Sequence, residues 1–398
     1  MRLSGAPFLA LLFVVLALAS MRVPDENPVR LLDLAVSRGR AMPERCEIAR
    51  DSREASVLRA GEEFVVDVRA PAGGRLRYAV GAPDPAVAVP PWRLTVEDAE
   101  HPDRILADDH APALSRWDER TLDLRAFAGR RLRVRARAEP AAQGNTERLC
   151  LAHPVLASHQ RAGHLTIVVL LDTLRADHLS LYRYARRTAP ALETLAGDGV
   201  TFDDAASDAS WTRASVATLF TGEPALGHGV LARDAHLGPA LPTLAERFRR
   251  AGVHTVALST NPNVLPFWGF ARGFERFVDV GAEEWTQNAD AARVLAIARE
   301  VVHQAGSEPT LLYVHINDAH APYDPPPEAA RALLGTYDPA SPGSVINLPA
   351  TAAVIASAID RYDGEIAYLD AQLGAFFADL KASGQYRRSL IVVVGDHG

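Results

Sequence analysis

Lysine is almost missing from this chain, and Lys381 is its single instance. Arginine carries the rest of the basic charge, so the chain has no lysine ammonium to spare for catalysis. The arginines are scattered rather than blocked, and the formal net charge is -7. That pattern gives a polyanion no basic stripe to follow, which disfavours a nucleic-acid role. Cysteine is nearly as scarce. Cys46 and Cys150 are the two present, so no thiol nucleophile is available anywhere after Cys150. Long apolar runs are also few. The stretch Leu9 to Leu18 is too short for a comfortable membrane span, and no cysteine follows it closely enough to carry a lipid anchor.

That stretch reads instead as an export signal over residues 1–19. Arg2 supplies the positive start, and Ala17-Leu18-Ala19 the small-x-small cleavage site. The chain is therefore expected in the periplasm or outside the cell, with an uncleaved membrane anchor as the alternative. In an oxidising compartment an isolated cysteine pair forms a disulfide, so Cys46 and Cys150 are expected to be bridged. Two separate buried thiols are the other reading.

What is present falls into two textures, in a chain long enough for two domains with real cores. Over residues 31–158 short alternating runs such as EEFVVDVRAP, WRLTVEDA and RRLRVRARAE are punctuated by Gly, Pro and Asp. This spacing predicts an all-β sandwich. Trp92 and Trp117 could offer a flat face to a sugar ring or could fill the core. Over residues 164–398 the apolar runs at Ile167–Leu171, His254–Ser259, Leu311–Ile316 and Leu390–Val394 alternate with helical patterns. LPTLAERFRRAG and YDGEIAYLDAQLGAFFADLKASG are two of them. Strands alternating with amphipathic helices predict a doubly wound, mainly parallel α/β sheet covered on both faces.

Such sheets build their sites at the carboxyl ends of their strands. Asp172 follows one apolar run in LLDTLRADHL, and Asp396-His397 follow another in VVVGDHG. Two carboxylates and an imidazole suit a divalent metal, although an aspartate at a strand–helix turn is often only a helix cap. In DASWTRASVATLFTG, Ser210 and Thr212 introduce a helical segment. A hydroxyl at a helix N-terminus sits in a positive field suited to phosphate or sulfate oxygens, or simply caps the helix. In HINDAHAPYDPPP, His315 lies late in a strand and His320 in a proline-rich loop. An imidazole there can protonate a leaving group.

These four segments, in this order, resemble the sulfatases of the alkaline phosphatase superfamily over Leu165 to Gly398. The preceding segment resembles jelly-roll, galactose-binding-like modules, mainly through SRWDERTLDLRAFAGRRLRVRARAE. The first resemblance implies an alkaline-phosphatase-like fold with Asp172, Asp396 and His397 as metal ligands. It also implies Thr212 in the nucleophile position, His320 beside the substrate anion, and Ser210, Arg213 and His315 as substrate-side residues. Calcium is the metal it favours. The second implies a possible carbohydrate-binding module. A chain that stops on its own metal motif is expected to be incomplete at its C-terminus.

The departures matter as much. Formylglycine arises from the first residue of C-x-P-x-R or from serine, and this chain has Thr212-Arg213-Ala214-Ser215-Val216. No formylglycine is expected. Thr173 stands where an Asp-Asp pair would place its second acid. A metal-activated threonine hydroxyl is the remaining arrangement, and it favours zinc or manganese. Three functions follow. One is a metal-dependent hydrolase of sulfate esters. A second is a phosphodiesterase, phosphonate hydrolase or phosphoryl-group transferase using threonine. The third is a non-catalytic glycan-binding protein with a degenerate core. The implied partner is a sulfated or phosphorylated small molecule or glycan, with membrane association through the N-terminus possible.

Overall fold

A computed structural model describes residues 2–3, 28–39, 42–83, 91–111, 116–139, 148–157, 163–281, 290–306, 308–335, 338 and 351–398. The export signal expected over residues 1–19 lies outside the described residues, apart from the backbone of residues 2–3. No helix among the described residues is long and apolar enough to cross a membrane.

The N-terminal half is β-rich. After a short helix α1 (Leu31–Ser37) come β1 (Glu44–Ile48), β2 (Asp51–Arg59), β3 (Glu63–Arg69), β4 (Arg75–Gly81) and β5 (Trp92–Asp98). Then follow β6 (His101–Ala111), β7 (Asp118–Asp123), β8 (Arg131–Ala138) and β9 (Arg148–Ala157). Strands β3, β8, β5 and β6 form one antiparallel sheet in that order. The period-2 alternation of RRLRVRARA has a direct outcome. Leu132, Val134 and Ala136 are buried with Phe64, Val66, Leu94 and Val96, and the intervening arginines point out. Leu76, Tyr78, Leu149 and Leu151, from the strands of the other sheet, complete that core.

Of the two readings of the tryptophans, the core one holds for Trp92. Trp92 is 2% exposed and sits in this core. The indole of Trp117 donates to Asp51 O at 2.8 Å, and Arg53 lies over its ring at 4.8 Å. Cys46 and Cys150 are joined by a disulfide that closes a separation of 104 residues.

The C-terminal half alternates strands and helices. Its strands are β10 (Leu165–Leu171), β11 (His254–Ser259), β12 (Arg276–Asp279), β13 (Thr310–Ile316) and β14 (Ser389–Gly395). Its longer helices are α2 (Pro190–Gly197), α3 (Thr212–Thr221), α4 (Leu244–Arg250), α5 (Ala291–Ala305), α6 (Pro327–Leu334) and α7 (Ala352–Ala382). Pairing β14-β10-β13-β11-β12 is parallel throughout. All seven residues of β10 are buried, as a strand covered on both faces requires. Ile167, Val169 and Leu171 face the core made with α5 and α7, whereas Val168 and Leu170 face the core made with α3 and α4. Thr243 and Glu246 form a reciprocal capping box that fixes where α4 starts.

The two textures share one sheet. Strand β2 pairs antiparallel with β12, so the order continues β12-β2-β9-β4-β7 from one half into the other. Charged pairs reinforce the seam: Arg50 with Asp279, Arg276 with Asp51, and buried Arg30 with Glu275.

Candidate metal and nucleophile centre

Register places the site. Leu171 of β10 stands opposite Gly395 of β14 on one side and Ile316 of β13 on the other. The residues that follow these strands therefore emerge together at the carboxyl edge. Asp172, Asp396 and His397 each offer a ligand atom, and these atoms lie within 4.8 Å of one another. Both carboxylates are buried, at 0% and 2% exposure.

The donor set fits a cation. Asp172 Oδ1 and Asp396 Oδ2 are buried without a hydrogen-bond partner. His397 Nε2 stands 3.9 Å from the first and 3.5 Å from the second. Burial pushes the carboxyl of Asp396 up, and the neighbouring charge of Asp172 adds to it. Burial pushes Asp172 the same way, but the hydrogen bond from His315 and the nearby histidine charges outweigh it and hold this carboxyl low. Two buried acids this close ionise together only beside positive charge. A divalent ion held by Asp172, Asp396 and His397 would supply it.

The loop after β10 is built around these ligands. Thr173 has φ of 55°, a left-handed conformation uncommon for a β-branched residue. Three bonds hold it there. Its N–H donates to Asp396 Oδ1 at 3.0 Å, its hydroxyl donates to Ala319 O at 2.8 Å, and its carbonyl accepts from the Tyr362 hydroxyl at 2.7 Å.

Thr212 is the first residue of α3 and 5% exposed. Its hydroxyl oxygen lies 3.3 Å from Asp172 Oδ2 and 3.3 Å from His397 Nε2. The helix therefore brings a hydroxyl, the positive end of its dipole and the ligand cluster to one point. One turn on, Ser215 faces the same way and donates to Asp396 O at 2.7 Å; Ser207 donates to that carbonyl too. His320 lies on the same edge, close enough for its charge to act on Asp172. Its Nδ1 is 2.7 Å from Ala321 O, so Nδ1 carries a hydrogen whether the ring is neutral or charged. Nε2 is left to exchange a proton.

Of the expected substrate-side residues, Arg213 and His315 are buried and bonded elsewhere, and Ser210 is exposed. Arg213 is 3% exposed and points away from the cluster. It donates to the carbonyls of Arg233 and Ala235 and to Asn263 Oδ1, with its guanidinium 3.4 Å from the Trp268 ring centre. Successive helix residues turn by about 100°, so Arg213 cannot share the face of Thr212. Ser210 is exposed and forms no helix cap; Trp211 holds the N-cap position, with no side-chain cap bond. His315 is fully buried, with Nε2 on Asp172 Oδ2 at 3.1 Å and Nδ1 on the Tyr313 hydroxyl at 3.0 Å. Both of its ring nitrogens are thus taken up by buried partners.

Asn261 and Asn317 were not singled out by the sequence. Asn261 Nδ2 donates to Asp172 Oδ2 at 2.5 Å and to Asn317 Oδ1 at 2.9 Å. A usable signal was their placement immediately beyond the apolar runs HTVALS and TLLYVHI, where β11 and β13 end.

Residues 164–398 match the family model described as Sulfatase. YhbX of Escherichia coli (strain K12), named provisionally as a transferase, is 27% identical over 237 residues. That match covers 58% of this chain and 37% of YhbX, so the chain spans little more than a third of its relative's length. Among solved structures, the C-terminal periplasmic domain of EcEptC from Escherichia coli, in complex with Zn, aligns with a TM-score of 0.47 and 19% identity. It covers 60% of this chain and 64% of that one. The phosphonate monoester hydrolase of Agrobacterium radiobacter aligns at 0.46 and 19%, covering 59% and 62%.

Proposed function

The chain belongs to the sulfatase family, and from that membership we propose a metal-dependent transferase or hydrolase of phosphate or phosphonate esters with Thr212 as nucleophile. One observation carries the reading. The Thr212 hydroxyl sits at a helix N-terminus, 3.3 Å from each of two candidate metal ligands, where formylglycine chemistry would need a cysteine or serine. The transferase label of YhbX agrees with this choice.

Asp172, Asp396 and His397 are the residues that would hold the ion, and it would supply Lewis acidity to the hydroxyl and the ester oxygens. With an imidazole among few donors, the set suits Zn²⁺ or Mn²⁺ better than Ca²⁺, which takes six to eight oxygens. Calcium, favoured by the resemblance, is therefore the weaker assignment.

Thr212 attacks phosphorus as its own O–H bond gives way and the proton leaves to solvent, with Asp172 Oδ2 orienting the hydroxyl. A Thr212 O–P bond forms, and the bond to the leaving oxygen breaks. The free N–H groups of the first turn of α3 face the equatorial oxygens. As the imidazolium, His320 gives its Nε2 proton to the departing oxygen; the neutral ring then takes a proton from the incoming water or alcohol as that oxygen bonds to phosphorus, the Thr212 O–P bond breaks and the Thr212 oxygen regains a proton.

The test compares an aryl phosphodiester, an aryl phosphonate and an aryl sulfate with Mn²⁺ or Zn²⁺ supplied. Turnover of the phosphorus esters at or above that of the sulfate is expected, with Thr212→Ala lowering kcat by about 10³-fold or more and Thr212→Ser retaining part of it. A strong sulfate preference would restore the sulfate-ester reading that family membership also allows. No turnover of any ester would leave the glycan-binding reading ahead.

A further inference from the structure

Asp172 presents its two oxygens to different surroundings, and the asymmetry is built by residues that touch neither substrate nor ion. Oδ2 has Asn261 Nδ2 at 2.5 Å and His315 Nε2 at 3.1 Å, with the Thr212 hydroxyl at 3.3 Å. Oδ1 has no hydrogen-bond partner. We infer that Tyr313, acting through His315, and Asn261, braced by Asn317, are positioning residues that commit Oδ2 to hydrogen bonds and leave Oδ1 as the one metal-facing oxygen of Asp172. The inference rests on the metal-dependent reading above.

The direction of each bond follows from chemistry. A carboxylate oxygen only accepts, so His315 Nε2 must carry the hydrogen at that contact. In the neutral ring Nδ1 is then a bare acceptor, and the Tyr313 hydroxyl at 3.0 Å is its donor. Tyr313 and His315 are two apart on β13 and so share one face of the strand. Both are buried, at 2% and 0% exposure, so water does not compete for either bond. The opposite tautomer would turn a lone pair toward Asp172 and a hydrogen toward the phenol oxygen. The hydroxyl therefore selects the tautomer that holds the carboxylate.

Asn261 is fixed in the same manner. It is 2% exposed, and its amide nitrogen divides its two hydrogens between Asp172 Oδ2 and Asn317 Oδ1. Its own oxygen accepts from the N–H of Asn263 at 2.7 Å, which excludes the flipped amide. Three strand ends, β10, β11 and β13, thus lock one carboxylate rotamer. Partners behind a metal ligand commonly set affinity in this way.

Titration calorimetry of the full chain with Zn²⁺ alone tests the inference. The variants are Tyr313→Phe, His315→Gln, the double variant and Asn261→Ala. Tyr313→Phe keeps a ring that packs on Phe220 and Phe274, so the core should survive the change. Glutamine at 315 offers an amide N–H to Oδ2 but has no tautomer to select. Tyr313→Phe and Asn261→Ala should each weaken zinc binding by about tenfold. In the His315→Gln background, Tyr313→Phe should change affinity by less than about twofold, since the coupling path is gone. Zinc affinity unchanged in both single variants, with only the melting temperature lowered, would overturn the inference as a purely structural effect. An equal loss from Tyr313→Phe in both backgrounds would also overturn it. If Tyr313→Phe fails to fold, Asn261→Ala decides alone by the same criterion. A chain that binds zinc in this pattern but turns over no ester would remove the proposed function and leave this inference standing.

Discussion

Thr212 and Arg213 are adjacent, yet one faces the ligand cluster and the other a tryptophan. A 100° step on a helix separates them. The clustering of Asp172, Asp396 and His397 at strand ends was readable because each follows an apolar run. The roles of Ser210, Arg213 and His315 were not, since sequence gives a side chain's address but not its direction. Asn261 was hidden for another reason: its partner Asp172 lies 89 residues away, and only the sheet joins them. Arg213 yields a prediction of its own. Arg213→Met should destabilise the chain by about 1–3 kcal/mol, because the carbonyls of residues 233 and 235 lose a charged donor and the Trp268 ring loses its guanidinium. Denaturant unfolding measures it. The metal affinity of the folded variant should stay near that of the unaltered chain, and a large loss there would return Arg213 to the substrate side.

Among the elements, strands were located more sharply than helices. The run LIVVV sits inside β14, whereas the helix expected from Tyr362 begins ten residues earlier, at Ala352. Its first turns read AAVIASAIDR, with several exposed apolar residues and no clean stripe, so periodicity fails there. Thr351 caps the true start by accepting from the N–H of Val354. This helix also carries Glu365, which accepts from the N–H of Asp324 in the His320 loop. Burial pushes Glu365 up to about 8, and burial pushes Asp318, at the base of the same loop, up to about 7. A carboxyl raised in the folded state keeps a proton that the unfolded chain has already released. Stability is therefore lost as pH rises from about 4 through the folded values near 7 and 8. Asp318→Asn and Glu365→Gln should flatten that decline in urea midpoints measured between about pH 5 and 8.5. An unaltered slope would show that these carboxyls do not carry it.

For the molecule as a whole, composition and alternation disclosed two textures, but nothing in either sequence half announces that β2 will pair with β12. Edge pairing is made by backbone, and its partners carry no complementary motif. The disulfide strengthens the half that this seam attaches. Cys46 and Cys150 close 104 residues, so replacing both by alanine should cost about 4.7 kcal/mol in the chain-entropy treatment. Parallel thermal unfolding of the variant and of the reduced parent chain should give the same loss, and no loss in either would contradict the bridge's role. The continuous sheet ends in the edge at which Thr212 lies against Asp172 and His397. The most direct measurement is therefore intact-chain mass spectrometry after rapid acid quench with an aryl phosphodiester and Mn²⁺ or Zn²⁺. The account predicts one added phosphoryl-type adduct, mapped by fragmentation to Thr212 and absent in Thr212→Ala. Turnover with no adduct under burst conditions, or an adduct on any other residue, would contradict it.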